Sequence, residues 1–189
     1  MKWLERDFIR IRGAARRRIK ALAPISGLVV TPDFRSMMRR DKRSAHSDPE
    51  DTELTDISRL RGTRVMVIDD SNTIRRSAEI FLVQAGCQVI LAEDGFDALA
   101  KIADHQPAVI FCDIMMPRLD GYQTCALIKK NSRFKTTPVV MLSSKDGLFD
   151  RARGRMVGSD LYLTKPFTKD SLLQTVAAFA LPADAAAAK

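Results

Sequence analysis

Short apolar runs and amphipathic stretches alternate regularly along the chain from residue 63 to residue 180. Residues 65–68 are a largely β-branched run, and the helical pattern over 71–84 stops at Gly86. A second run at 89–91 precedes a helical pattern at 95–104, and a third at 109–112 precedes one over about 120–130. The fourth run, 138–142, leads into a helical stretch spanning roughly 146–156, and the fifth, 161–163, into a closing helix over 168–180. Five strands, each followed by a helix, make a (βα)5 sequence. Strands this continuously apolar are buried on both faces, which predicts a doubly wound α/β fold with helices on both sides of a parallel sheet. In such a sheet ligands bind outside the carboxyl ends of the strands.

The rest of the chain has a different composition. Residues 41–62 are polar and charged, as in a solvated linker, and residues 182–189 read as a disordered tail. The net charge of +8 is concentrated at the start: residues 1–43 carry thirteen Lys or Arg against four acids, whereas residues 63–189 carry sixteen against fourteen. Within the basic extension of residues 1–40, Leu4, Phe8, Ile11, Ala15, Ile19 and Leu22 recur every three or four positions. Residues 2–23 therefore read as a basic amphipathic helix suited to an anionic membrane surface or an acidic groove. A translation start assigned too far upstream, or a disordered tail, is the competing reading. The extension has no helix-turn-helix, zinc-finger or RNA-binding signature, so no nucleic acid is expected as a partner.

Pro24, Ser26 and Gly27 interrupt the apolar stretch at 21–30, which argues against a secretion signal. No run approaches the length of a membrane span. Cys87, Cys112 and Cys125 lack CxxC spacing and sit in apolar settings, as expected in the reducing cytoplasm. His46 and His105 have no metal-like neighbours, which argues against zinc.

The unusual polar residues fall where the strand-end rule puts a site. Asp69 and Asp70 close the first strand, Asp113 the third, Ser143 and Ser144 the fourth, and Lys165 follows the fifth. Three carboxylates in one small volume raise one another's pKa, a conflict that a divalent cation removes. Oxygen-only ligands in an open site suit Mg²⁺, which also draws in and stabilises a transferring phosphoryl group. Lys165 adds a second cation for phosphate oxygens, and Ser143 a hydroxyl donor. Taken singly, most of these residues have plainer roles. An Asp pair caps helices, Asp120 before Gly121 fits a turn or cap, and Lys165–Pro166 fits a turn. Asp113 has no such explanation, and the coincidence at four strand ends points to phosphoryl transfer onto it.

VMVIDDS (65–71), DIMMPRLDG (113–121), VVMLSS (139–144) and LTKPF (163–167) resemble the motif set of CheY-like response-regulator receiver domains, over residues 63–181. The resemblance implies a flavodoxin-like receiver fold, with a five-stranded parallel sheet in the order 2-1-3-4-5. It implies Asp113 as phosphoacceptor and Mg²⁺ held by Asp69, Asp70, Asp113 and the backbone carbonyl of Met115. It further implies Ser143 and Lys165 as the groups that follow the phosphate, Tyr162 as an aromatic that turns inward, and a cis peptide at Pro166. The stretches DGFDALAKIADHQP, DGYQTCALIKKN and LSSKDGLFDRARGRMVGSDLYLTKPF are similar to twitching-motility response regulators of type IV pilus chemosensory systems. That similarity implies a CheA-like histidine kinase as donor and a motility effector as downstream partner.

Gly147, Gly154 and Gly158 loosen the segment after the fourth strand, which suits a bistable output surface over residues 146–180. Arg151 and Arg155, four apart, would share a helix face there, open to an acidic partner or simply to solvent. No effector domain is recognisable after residue 180, so output is expected through protein–protein contact. A transcription regulator or membrane-associated regulator acting through the basic extension is the alternative. An aspartyl-phosphate phosphatase would need an acid two residues after the nucleophile, where Met115 stands. No turnover beyond slow self-dephosphorylation is expected.

Overall fold

The computed structural model describes residues 28–29, 60–144 and 156–180. The expected helix over 2–23, most of the polar linker, Arg151, Arg155, most of the helix expected over 146–156 and the tail lie outside them. Only residue 156 of that fourth helical stretch is described, and it is helical together with residue 157.

Five parallel strands appear where the apolar runs predict them: β2 (Arg64–Ile68), β3 (Gln88–Ala92), β4 (Val109–Asp113), β5 (Val139–Ser143) and β6 (Leu161–Thr164). A two-residue strand, β1 (Leu28–Val29), pairs antiparallel with β6 at the sheet edge and was not expected from the sequence. Across the sheet the order is β1-β6-β5-β4-β2-β3. Without β1, this is the 2-1-3-4-5 order of the five parallel strands.

Side-chain alternation divides the core in two. Val65 and Val67 of β2, Phe111 of β4 and Leu142 of β5 face a cluster closed by the helices α1 (Asn72–Gln84) and α4 (Lys169–Ala180). Met66 and Ile68, Cys112 and Met141 face a second cluster closed by α2 (Gly95–His105) and α3 (Gly121–Lys130). Burial on both faces explains why these strands read as continuous apolar runs.

The folded unit begins earlier than the expected boundary at residue 63. Leu60 is fully buried in the α1–α4 cluster, and the Gly62 amide donates to the Gly86 carbonyl at 2.8 Å. A single leucine in a charged stretch has no periodicity to announce it. At the edge remote from the strand carboxyl ends, Lys129 pairs with Asp160 at 2.6 Å and donates to the Thr137 carbonyl, tying α3 to the entries of β5 and β6.

Candidate phosphoacceptor and metal site

Register carries the unusual residues to one edge of the sheet. Ile68 lies beside Cys112, Asp113 beside Leu142, and Ser143 beside Thr164. Asp69 and Asp70 therefore leave β2, Asp113 ends β4, Ser143 ends β5 and Lys165 leaves β6, all on the same side. Carboxylate oxygens of Asp69, Asp70 and Asp113 lie within 4.8 Å of one another.

Asp69 is fully buried and held at both oxygens. Its Oδ1 accepts the Ser71 amide at 2.9 Å, and its Oδ2 accepts Lys165 Nζ at 2.5 Å. Lys165 Nζ also stands 2.9 Å from Asp113 Oδ1. Asp113 is 5 % exposed, whereas Asp70 is open to solvent. The Lys165–Pro166 peptide is cis, and the Lys165 amide donates to the Ser143 carbonyl at 2.7 Å. Ser143 itself is buried at the strand end. Tyr162 lies inward, 3 % exposed, in the cluster under α2 and α3.

These contacts set opposing electrostatic demands. Burial pushes the Asp113 carboxyl above its ordinary value, and repulsion by Asp69 adds to this; the Lys165 ammonium and the Met115 amide pull the other way without cancelling it. For Lys165, burial works against the charged form, but its bonds to Asp69 and Asp113 outweigh that and hold its pKa above the ordinary lysine value. Asp113 is thus a reluctant anion beside a committed cation.

The donor set fits Mg²⁺. Octahedral oxygen ligands at about 2.1 Å from the ion lie about 3–4 Å apart, so the observed span needs only a small closure. An exposed acid such as Asp70 leaves room for the waters that Mg²⁺ retains. Met115 lines a cleft of about 510 Å³ that begins at Asp70 and runs along Pro117 to Tyr122. Met115 as a whole residue is 72 % exposed.

Asp120 forms a capping box with Gln123 at the start of α3, the plainer role open to it from the sequence. Beside it, Gly121 has a tighter constraint: a Cβ there would stand 2.0 Å from the Asp113 carbonyl oxygen. The sequence reading passed over two further groups. Arg75 donates to the carbonyls of Asp69 and Asp70. Arg118, in a left-handed backbone conformation, pairs with buried Asp94 and lies over the Phe96 ring, joining the loop after β4 to the start of α2. A basic residue in the opening turns of a helix works against the helix dipole, and that is the signal that could have drawn attention to Arg75.

Known proteins resemble this chain in sequence and fold. Residues 65–177 match the family model described as response regulator receiver domain. Protein PilG of Pseudomonas aeruginosa is 73 % identical over 117 residues, 62 % of this chain and 87 % of that protein. Response regulator MprA of a Mycobacterium species is 37 % identical over 110 residues, 58 % of this chain and 47 % of that longer protein. Among solved structures, chemotaxis protein CheY4 of Vibrio cholerae superposes with a TM-score of 0.61 at 33 % identity, over 62 % of this chain and 98 % of its own. The BeF3-activated DrrB receiver domain does so at 0.56 and 30 % identity, over 62 % and 97 %. With its acidic cluster at the carboxyl edge of the 2-1-3-4-5 sheet, this chain belongs to the response regulator receiver family, whose members are signalling switches.

Proposed function

We infer that Asp113 accepts a phosphoryl group and that the resulting charge switches the surface around β5, β6 and α4. The observation that carries this reading is the trio of carboxylates within 4.8 Å, two of them bridged by one ammonium group. In the transfer, an Asp113 carboxylate oxygen attacks phosphorus, an O–P bond forms, and the bond to the leaving imidazole or acetate breaks. Asp69, Asp70, Asp113 and the Met115 carbonyl are the groups that would hold Mg²⁺, which would supply positive charge to the transferring oxygens. Lys165 shifts its bond from the carboxylates to a phosphate oxygen, and Ser143 donates to another. The new group adds nearly two negative charges and three acceptors, so the chain ends beyond β5 and β6 are drawn toward it.

The proposed setting is a chemotaxis-like pathway controlling type IV pilus twitching motility. A CheA-like histidine kinase is the donor, and a motility protein receives the output. The stretches similar to twitching-motility regulators and the 73 % identity to PilG support this assignment.

Incubation with acetyl phosphate and Mg²⁺, followed by intact mass, tests the chemistry. One phosphoryl adduct is expected, absent in Asp113→Asn and in EDTA. An adduct that survives Asp113→Asn overturns the site. Complementation of a strain lacking its PilG-type regulator tests the pathway: the wild-type chain, but not Asp113→Asn, is expected to restore twitching. Failure of the wild type there removes the pilus assignment while leaving the chemistry intact.

A further inference from the structure

Arg75 closes the first turn of α1, a turn with no acid in it, and a cation there opposes the helix dipole. Its side chain turns back past the helix start. One guanidinium nitrogen, Nη1, donates to the Asp69 carbonyl at 2.5 Å and to the Asp70 carbonyl at 3.1 Å. A single planar group thus spans the two consecutive peptides that carry the acidic pair.

The two acids depend on this clamp unequally. Asp69 is already fixed through its carboxylate, by the Ser71 amide and by Lys165. The Asp70 side chain, among the described residues, carries no hydrogen bond or ion pair, so its backbone is what aims it. We propose that Arg75 is a positioning residue for the metal site, setting the direction of Asp70 through its carbonyl and thereby raising Mg²⁺ affinity. The proposal rests on the Mg²⁺ reading above.

The sign of the effect separates positioning from charge. Removing a cation near a divalent-metal site tightens metal binding if only through-space repulsion is at work. Removing a clamp that orients a ligand weakens it, typically by tenfold or more.

Mg²⁺ titration calorimetry on full-length wild type, Arg75→Ala, Arg75→Gln and Arg75→Lys reads that sign directly. Hydrogen exchange at the Asp70 and Ser71 amides in EDTA gives a metal-free readout. Arg75→Ala is expected to weaken Mg²⁺ about tenfold and to speed exchange at those amides, with thermal unfolding in EDTA little changed. Arg75→Lys, with one ammonium able to reach a carbonyl, is expected to recover part of the affinity, and Arg75→Gln less. Unchanged or tighter Mg²⁺ binding in folded Arg75→Ala overturns the proposal, as does unchanged exchange at the two amides. A wild type that binds no Mg²⁺ instead overturns the metal reading, and the exchange result then decides whether Arg75 holds the turn at all.

Discussion

Lys165 and Asp113, fifty-two positions apart in sequence, meet at 2.9 Å across the carboxyl edge of the sheet. The contact joins the end of β4 to the turn after β6, and the same ammonium reaches Asp69 at 2.5 Å. In metal-free protein, Lys165 therefore does for two of the three carboxylates what Mg²⁺ would do for all three. The direction of each pKa shift follows. Asp113 is displaced upward by burial, and Lys165 upward by its two anionic partners in spite of burial.

Lys165→Met removes that cation while keeping much of the side-chain volume. In EDTA the variant is expected to lose about 2 kcal/mol of stability, less than a fully buried pair because Asp113 can take up a proton. Mg²⁺ should restore more stability to the variant than it adds to wild type. Urea unfolding with and without Mg²⁺ measures both; equal stability of the two proteins in EDTA would count against the ion pair. With its pKa raised, the Lys165 contribution is complete below the ordinary lysine value and fades as pH rises through the folded one.

Asp113→Asn should act in the opposite sense. A carboxyl whose folded pKa lies above its ordinary value of 3.8 costs stability once pH exceeds that ordinary value, because the unfolded chain ionises first. Asn removes the charge, and its Oδ1 can still accept from Lys165. Metal-free melts at pH 7 are expected to show a higher Tm than wild type, with the difference vanishing below the ordinary carboxylate value. A lower Tm at pH 7 would refute the direction assigned to Asp113.

Gly121 holds the Asp113 backbone in place by leaving room for it. The Cβ of Gly121→Ala would stand 2.0 Å from the Asp113 carbonyl oxygen and 2.9 Å from the Ile114 Cα. Both neighbours are backbone, so α3 must shift. A loss of roughly 3 kcal/mol, at the upper end for overpacking, is expected in urea unfolding. Phosphorylation by acetyl phosphate should fall with it, since the displaced peptide carries Asp113. Full phosphorylation in a destabilised variant would show that the shift is absorbed on the α3 side alone.

How legible this was depended on the kind of feature. Val65, Phe111 and Leu142 announce strands because each run is buried on both faces, and Asp113 stands out because nothing local explains an acid there. The capping role of Asp120 could be read from its position before Gly121. The contacts of Arg75, Arg118 and Leu60 could not be read in this way, even where position near a helix start flags Arg75, because their partners are backbone carbonyls, a buried cap at Asp94 and a cluster built from distant elements. Such contacts depend on how the chain folds back and leave no periodicity. The pairing of β1 with β6 belongs to the same class: a short apolar stretch meets an open sheet edge, and only the edge makes it a strand.

The three thiols offer a last test, independent of the acidic site for two of them. Burial pushes Cys87 up to about 11 and Cys125 to about 12, so near neutral pH both are neutral as well as enclosed. Iodoacetamide at pH 8 is expected to leave them unmodified in native protein and to label them in urea. The same shifts set a stability slope. Unfolded thiols ionise near 9 while the folded ones keep their protons to 11 or above. Above pH 9 stability should therefore fall by up to about 1.4 kcal/mol per pH unit for each thiol. Lys165 contributes its own loss near its pKa, so the comparison must be between proteins that share it. Cys87→Ala with Cys125→Ala is expected to flatten the decline between pH 9 and 10.5 in urea unfolding. An identical slope in the double variant would mean that the two thiols ionise as readily in the folded protein as in the unfolded chain.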